Sequence, residues 1–390
     1  MINFDNRLDR KHTCSVKWSS DTCTAIFGNE VLPFWIADMD FEIDEKITKA
    51  LVERTKHANY GYTTSNSHKL ACIDWQKRRH NWDIELEQIV NTPGVVCALS
   101  TAVQTLCEKG DQVIIQSPVY PPFRQVVVNN GCKVADNHLL LKNNRYEIDF
   151  EDFEAKAKQD ATKLFILCSP HNPIGRVWTK EELCRLMDIC LKHHVFVVAD
   201  EIHHDLIFKG EKHHVLANLD ERYKDSIITC TSPSKTFNLA AFHVSNIIIP
   251  NADVRKRFVK VLEKNVVGTP TPFGIIAATV SYNECEQWLD EVLDYIEENS
   301  RFVREYLAQQ LPQVTATHQT ATFLTWLDFR AYQLTQKELE DKLFHEAKVG
   351  LNTGTAFGID GKGFMRLNLG CPRQVLQEGL DRIIAVFSSL

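Results

Sequence analysis

The sequence predicts an α/β protein with two parts: a large domain built on a mostly parallel sheet flanked by helices, and a smaller α+β domain. Two observations lead to this fold class. Short apolar, β-type runs alternate with helical patterns through the first two thirds of the 390 residues, and each of several runs ends in a polar, proline- or glycine-containing turn. Alternating strands and helices form parallel sheets, and ligands bind at the carboxyl ends of their strands.

Composition and charge narrow the function classes. The chain is 44% hydrophobic and 24% charged, as is usual for a globular protein, and its net charge of −7 disfavours nucleic acid as a partner. No apolar run approaches the roughly 20 residues that span a bilayer, so a membrane partner is not expected. Residues 1–7 lack the apolar core of a signal peptide. The 12 cysteines include no Cys-x-x-Cys pair, which predicts reduced thiols and a cytoplasmic location.

The domain boundaries follow changes in the pattern along the chain. Residues 1–45 are expected to form an extended arm that belongs partly to the small domain and supplies an active-site loop. Residues 46–270 are expected to form the large domain, and residues 271–390 the small C-terminal domain. Predicted helices lie at 44–57, 68–80, 94–107, 180–194, 288–310, 336–347 and from about residue 374; strands are predicted at 88–90, 111–116, 164–168, 195–199, 246–249, 321–328 and 364–369, and one begins at Ile227.

Polar side chains follow several of these strands. Lys235 comes after the run that begins at Ile227, with Ser232 and Ser234 just before it, while Asp200 and Asn172 follow two other strands. A lysine in such a place can form a Schiff base with a carbonyl when burial keeps part of it neutral. Upstream, Tyr120 also follows a strand, and Gly94 lies in a strand-to-helix turn whose free N–H groups favour an anion.

Together these groups are what a pyridoxal phosphate site requires. The lysine bonds to the cofactor, the aspartate keeps the ring nitrogen protonated, the asparagine contacts the ring oxygen O3′, and the tyrosine stacks on the ring. Other interpretations remain open for single stretches: a solvated surface lysine, a core tyrosine, or a metal site formed by Asp200, His203, His204 and Asp205. The lysine motif favours the cofactor, and no metal is predicted.

The order of these motifs resembles the fold type I superfamily of pyridoxal-phosphate-dependent transferases, which predicts a seven-stranded sheet in the large domain. Four segments resemble the MalY/PatB branch of cystathionine β-lyases and cystalysin-like cysteine desulfhydrases, and the C-terminal signature of that branch is similar to residues 366–373. The segments are Ile36-Ala37-Asp38-Met39-Asp40-Phe41, Cys168-Ser169-Pro170-His171-Asn172-Pro173, Asp200-Glu201-Ile202-His203 and Ser234-Lys235-Thr236-Phe237-Asn238.

The resemblance implies a role for each matching residue. Lys235 bonds to pyridoxal 5′-phosphate and moves the Cα proton, Asp200 pairs with the ring nitrogen, and Tyr120 stacks. Asn172 contacts O3′ with His203 nearby. The phosphate is held by Gly94, Val95, Val96, Ser232 and Ser234, with Tyr62 from a second subunit. The substrate carboxylate is held by Arg366, Asn172 and Ala37.

Two positions depart from the family pattern. His243 stands where aminotransferases commonly have a phosphate-binding arginine, and Pro121 follows Tyr120 where cystalysin-like enzymes can have a second tyrosine. The first departure predicts less positive charge at the phosphate. The second removes any contribution of that hydroxyl to substrate handling.

The implied activity is a β-elimination on a small-molecule amino acid. L-Cystathionine, or a related S-substituted L-cysteine or L-cysteine itself, would give a thiol, pyruvate and ammonia, with the proton for the leaving thiolate coming from Lys235 or Tyr62. The resemblance also implies a homodimer with shared active sites. Two alternatives stay open: an aminotransferase on the same scaffold, and a regulatory protein that binds a transcription activator.

Overall fold

The computed structural model describes residues 3–390. Met1 and Ile2, the first residues of the predicted arm, lie outside the described part. Numbered along the chain, the α-helices are α1 Ser20–Phe27, α2 Glu45–Lys56, α3 Ser67–His80, α4 Val95–Leu106, α5 Pro122–Asn129, α6 Phe150–Ala157, α7 Lys180–Lys192, α8 Pro233–Thr236, α9 Ala252–Lys264, α10 Pro272–Glu284, α11 Glu286–Gln310, α12 Gln336–Asp341 and α13 Arg373–Phe387.

The strands form one large sheet and three smaller ones. They are β1 Leu32–Pro33, β2 Ile89–Thr92, β3 Gln112–Ile115, β4 Lys133–Asp136, β5 Leu140–Lys142, β6 Arg145–Glu147, β7 Thr162–Cys168, β8 Phe196–Asp200, β9 Ile227–Thr231, β10 Ser245–Ile248, β11 Thr315–Ala316, β12 Leu324–Asp328, β13 Val349–Gly350, β14 Asn352–Thr353 and β15 Phe364–Asn368.

The large sheet has seven strands in the order β2-β10-β9-β8-β7-β3-β4. Only β10 runs antiparallel to its neighbours. The predicted seven-stranded, mostly parallel sheet is therefore confirmed. Its central strands β7, β8 and β9 are largely apolar because both faces of the sheet are buried there. Along β7, Leu164 and Ile166 pack with α4, α5 and α9, whereas Phe165 and Leu167 pack with α6 and α7.

A second region is built on the antiparallel sheet β11-β12-β15-β14. Helices α11 and α13 pack with this sheet in one core, which also includes residues of the N-terminal arm such as Phe34 and Met39. The arm is further tied to this region by β1, which pairs with β13. The division of the chain near residues 45 and 270 stays a prediction.

Several local predictions were wrong or incomplete. The arm contains helix α1, whose buried side chains are only Cys23 and Phe27, too few to give a clear periodic pattern. Strands β4, β5 and β6 were missed because each is short and has at most one buried residue. Helices α5, α6 and α9 were also missed. The helix predicted at 336–347 ends at Asp341 and continues as one π-helical segment, Lys342–Glu346.

No helix within residues 3–390 combines the length and the apolar composition that crossing a membrane requires.

Candidate active site

A cavity of about 640 Å³ lies where β7, β8 and β9 end. Eleven of the 13 predicted site residues line it: Ala37, Gly94, Val95, Val96, Tyr120, Asn172, Asp200, His203, Ser232, Ser234 and Lys235. This is the edge at which parallel α/β sheets bind ligands. The structure therefore brings together residues that are up to 198 positions apart in the sequence.

Lys235 lies in the short helix α8, which follows β9 after Ser232. Its Nζ atom donates a hydrogen bond to the Ala37 carbonyl oxygen at 2.6 Å. Burial lowers the pKa of Lys235 to about 8, although Asp38 and Asp200 act in the opposite direction. A lysine with such a pKa is partly neutral near physiological pH, and only the neutral amine attacks a carbonyl or accepts a proton.

Asp200 is the last residue of β8 and is only 5% exposed. Its described hydrogen bond is from the Ile202 N–H to Oδ1, at 3.1 Å. Burial raises the pKa of Asp200 to about 7, because this one bond and the charge of Lys235 compensate only partly for the lost water. A protonated pyridine nitrogen in the cavity would supply the missing positive partner, so this carboxylate fits pyridoxal phosphate.

Arg366 lies in β15, beside the cavity, and is 4% exposed. Its guanidinium donates to Asn172 Oδ1 at 3.0 Å, to the Trp35 carbonyl at 2.9 Å and to Asn352 Oδ1 at 2.5 Å. These acceptors are neutral, and burial lowers the pKa of Arg366 to about 10. Arg366 Nε is buried without a hydrogen-bond partner among the described residues. A buried guanidinium in such neutral surroundings is suited to a substrate carboxylate.

Tyr120 and His203 line the same cavity as Lys235 and Asp200. Burial raises the pKa of Tyr120, so its phenol stays protonated. His203 is 3% exposed, and burial lowers its pKa well below the ordinary value, which keeps the imidazole neutral. Its Nδ1 atom has no hydrogen-bond partner in the part of the chain that the structure describes. Both side chains can therefore contact a planar ligand without adding charge.

The opposite end of the cavity offers donors suited to a phosphate. Gly94 precedes α4 and has no side-chain capping bond, so the first N–H groups of this helix, at Val95 and Val96, can meet an anion. Ser232 Oγ donates to the Val244 carbonyl at 2.7 Å and accepts the Ser234 N–H at 3.1 Å. Ser232 Oγ also lies 2.8 Å from Ser234 Oγ, so the two hydroxyls form one hydrogen-bonded chain at this end of the cavity.

His243 also lines this end of the cavity. Its Nδ1 atom lies 3.1 Å from the Pro93 carbonyl oxygen. Because a carbonyl only accepts, Nδ1 donates to Pro93, and Nε2 is the single ring nitrogen left to meet a phosphate, whereas a guanidinium offers a fork of N–H donors. His243 therefore contributes less to anion binding than an arginine would.

Tyr62 does not enter the cavity of its own chain. It lies in the loop between α2 and α3, and its side chain is fully exposed. The resemblance assigned Tyr62 to the site of a second subunit, and that assignment stays a prediction.

Several residues at the site were missed by sequence reasoning. Cys168 lines the cavity, and its Sγ accepts the Asn172 N–H at 3.3 Å. Asn352 and the Trp35 carbonyl hold Arg366. Only the pairing of β14 with β15 places Asn352 opposite Arg366, and no local pattern in the sequence signals that pairing. The further lining residues are Pro93, Cys97, Ile202, Ala240, Val244 and Ser245.

The loop that carries Ala37 is held firmly from two sides. Asn238, three residues after Lys235, accepts the Met39 N–H and donates to the Met39 carbonyl, both at 2.9 Å. Asn368 donates to the carbonyls of Ile36 and Asp38, both at 2.6 Å. These bonds fix the Ala37 carbonyl against Lys235.

Ion pairs within the arm hold the same loop. Arg10 pairs with Asp38 at 2.8 Å and with Asp40 at 2.5 Å. The fully buried Lys17 pairs with Asp40 at 2.6 Å. The two aspartates of the Ile36–Phe41 segment thus anchor the arm and do not line the cavity.

Comparisons with known proteins agree with this site. The sequence model of the family "Aminotransferase class I and II" matches residues 29–383. Cystathionine beta-lyase PatB of Bacillus subtilis (strain 168) is 46% identical, with 99% of this chain and 100% of PatB covered. Protein MalY of Escherichia coli (strain K12) is 31% identical, with 98% of each chain covered.

Among solved structures, cystalysin from Treponema denticola, which contains a pyridoxal 5′-phosphate cofactor, superposes with a TM-score of 0.96. It is 38% identical, and 100% of this chain and 99% of cystalysin are covered. The predicted resemblance to the MalY/PatB branch is confirmed. The chain belongs to the aminotransferase class I and II family.

Proposed function

We propose that this protein is a pyridoxal-phosphate-dependent carbon–sulfur β-lyase that acts on L-cystathionine or a related S-substituted L-cysteine. The products are a thiol, pyruvate and ammonia. The observation that carries the proposal is the cavity itself, which is lined by the partly neutral amine of Lys235 and by the buried Asp200, a carboxylate without a salt-bridge partner among residues 3–390. The relatives named cystathionine beta-lyase and cystalysin support the same reaction.

Pyridoxal phosphate, when bound, supplies the electron sink for charge that develops at the substrate Cα. Asp200 would pair with the protonated ring nitrogen, and Tyr120 and His203 would hold the ring in place. The phosphate fits the N-terminus of α4, where Val95 and Val96 donate N–H groups and Ser234 adds a hydroxyl.

The remaining groups act on the substrate. Arg366 binds the α-carboxylate through its fork of N–H donors, and the orphan Nε adds one donor to that fork. Lys235 Nζ takes the Cα proton, because its lowered pKa makes the amine available as a base. The leaving thiolate then receives a proton from Lys235 or from Tyr62.

A product balance tests this function. Anaerobic incubation of the yellow holoprotein with L-cystathionine should release pyruvate and free thiol in equal amounts without any 2-oxo acid. If pyruvate were absent and a new amino acid formed only after 2-oxoglutarate was added, the protein would be an aminotransferase and the proposal would be wrong.

We also propose a homodimer with shared active sites, and the exposure of Tyr62 supports it. The phosphate end of the cavity is open at Val96, which stays 39% exposed, whereas Tyr62 is fully exposed on the same chain. A partner subunit that inserts Tyr62 would close this opening. Mixing the inactive variants Lys235→Ala and Tyr62→Ala tests the arrangement. After random subunit exchange, half of the dimers are hybrids with one intact site each, so the mixture should regain about a quarter of wild-type activity. No recovery after exchange would contradict shared sites.

The proposal also includes a cytoplasmic location and a possible protein partner. All 12 cysteines carry free thiols, which supports the predicted reducing, cytoplasmic setting. Binding of a transcription activator stays a prediction. Its test is retention of that protein on the immobilised holoprotein, and the absence of retention would contradict it.

A further inference from the structure

The residues at and after the end of β8 face two different regions, the cavity and the end of α3. Asp200 and His203 line the cavity, but His204 and Asp205 meet His80, the last residue of α3. His80 Nε2 lies 2.8 Å from Asp205 Oδ1, and His204 Nε2 lies 3.5 Å from the same oxygen. The rings of His80 and His204 are 4.5 Å apart between centroids. One potential ligand atom from each of the three residues lies within 4.8 Å of the others.

We propose that His80, His204 and Asp205 form a binding site for a divalent transition-metal ion of the Zn²⁺ type, separate from the cofactor cavity. Two imidazoles and a carboxylate form a frequent protein ligand set for this ion. In tetrahedral coordination each ligand atom lies about 2.0–2.1 Å from the ion, so that neighbouring ligand atoms are about 3.3 Å apart. The two distances to Asp205 Oδ1, 2.8 and 3.5 Å, lie on either side of that value.

Gln76 borders the cluster. Its Nε2 atom lies 3.0 Å from His204 Nε2, and its Oε1 atom is buried without a hydrogen-bond partner among residues 3–390. The three protein ligands leave the fourth position of a tetrahedral ion to a water molecule.

The surroundings resemble the outer ligand shell of known metal sites. Trp75 Nε1 donates to Asp205 Oδ1 at 3.0 Å, and Thr236 Oγ1 donates to Asp205 Oδ2 at 2.7 Å. Such outer donors orient the carboxylate that binds a metal. Because Thr236 follows Lys235 in α8, an ion bound here would also stiffen the turn that carries the reactive lysine.

The cluster is shielded from water, because His204 is fully buried and Asp205 is 3% exposed. The cluster is reached from His80, the one ligand of the three that is not fully buried.

Metal analysis of the holoprotein tests this site. The protein is first dialysed against a chelator, then against Zn²⁺ or Co²⁺, and the bound metal is measured by mass spectrometry. We expect one additional equivalent in the wild type, visible ligand-field bands with Co²⁺, and a rise in Tm of about 5 °C with excess Zn²⁺. His204→Gln and His80→Gln should each lose the equivalent, the bands and the rise in Tm.

The matched control is His214→Gln, which alters a histidine outside the cluster. The wild type and the three variants have the same thiols and the same cofactor. Metal bound to those groups therefore contributes equally to all four measurements. Equal metal content in the wild type and both cluster variants would overturn the proposal, as would no bound metal in any of them. Either result would leave a hydrogen-bond network without an ion. The test is independent of the lyase reaction, because it measures metal content and thermal stability.

Discussion

Two aspartates five residues apart, Asp200 and Asp205, show how neighbours decide the state of a buried carboxylate. Both are at most 5% exposed. Asp200 accepts one described hydrogen bond, and burial raises its pKa to about 7. Asp205 accepts bonds from Trp75, His80 and Thr236, and these together with His204 hold its pKa well below the ordinary value, against the effect of burial. The side chains around Asp205 come from the chain itself, whereas the partner of Asp200 must come from a ligand.

The two aspartates belong to two groups of residues, one that faces the cavity and one that stabilises the fold behind it. Lys235 and Thr236 are adjacent in α8, yet Lys235 lines the cavity with Asp200, while Thr236 binds Asp205. Changes on the cavity side should therefore reduce activity and leave the fold intact. Changes at Asp205 should act first on stability.

The largest expected effect is at Lys235. Lys235→Ala removes both the amine that bonds to the cofactor and the base, so elimination should fall by about 10⁴-fold. The measurement is pyruvate release at saturating substrate, with far-ultraviolet circular dichroism to show that the fold persists. Elimination at the wild-type rate would sink the assignment of Lys235.

The pKa of Asp200 predicts a pH-dependent stability of the cofactor-free protein. Below about pH 4 this carboxyl is protonated in both the folded and the unfolded chain. Between about pH 4 and 7 the unfolded chain releases the proton first, so the folded state becomes less favourable as pH rises. Above pH 7 the full cost remains, about 4 kcal/mol if the pKa falls from about 7 to about 3.9 on unfolding.

Asp200→Asn should remove this cost. The free energy of unfolding of the cofactor-free variant should exceed that of the wild type at pH 8, and the two should converge near pH 4. Urea unfolding at both pH values measures the difference. If the wild type were the more stable protein at pH 8, Asp200 would already have its partner within the chain.

Asp205→Asn is the opposite experiment. Here a buried, well-bonded carboxylate loses its charge, so the free energy of unfolding should fall by about 3 kcal/mol. We expect kcat per folded, cofactor-loaded molecule to change less than it does in Lys235→Ala. Urea unfolding and cofactor absorbance measure the two quantities. An undiminished stability would contradict the supporting role of Asp205.

Arg366→Lys should give a smaller effect, confined to the substrate. Lysine keeps the charge but loses the planar fork, so KM should rise by about 10- to 100-fold. Pyruvate release against substrate concentration gives KM, and the visible absorbance of the cofactor provides the control. A KM equal to that of the wild type would exclude Arg366 from carboxylate binding.

The smallest expected effect concerns the phosphate end. His243→Arg should lower the Kd for pyridoxal phosphate by about tenfold, because a guanidinium adds charge-assisted bonds. Equilibrium dialysis measures the Kd. Weaker binding in the variant would show that the Nδ1 bond of His243 to the Pro93 carbonyl matters more than the added charge.

The sequence predicted those parts of the site that depend on local patterns. Asp200, Asn172 and Lys235 each follow a continuous apolar run, so the strand end alone places them at the same edge of the sheet. The resemblance added Arg366 and Ala37, which local patterns alone do not connect to the other site residues.

The remaining features of the site depend on contacts between residues that are far apart in the sequence. The pairing of His80 with Asp205 joins α3 to the segment after β8, and the contact between Lys235 and the Ala37 carbonyl joins the arm to α8. Such contacts follow from how the layers pack, and periodicity does not reveal them. The sequence offered His204 and Asp205 as possible metal ligands but grouped them with Asp200 and His203, and only the contact with α3 adds His80.

The most direct test of the account is to locate the cofactor bond. The holoprotein is reduced with borohydride and digested, and the peptides that carry a phosphopyridoxyl group are identified by mass spectrometry. The account predicts a single labelled site, Lys235. A label on any other lysine, or no label on a protein that still eliminates thiol from L-cystathionine, would contradict it.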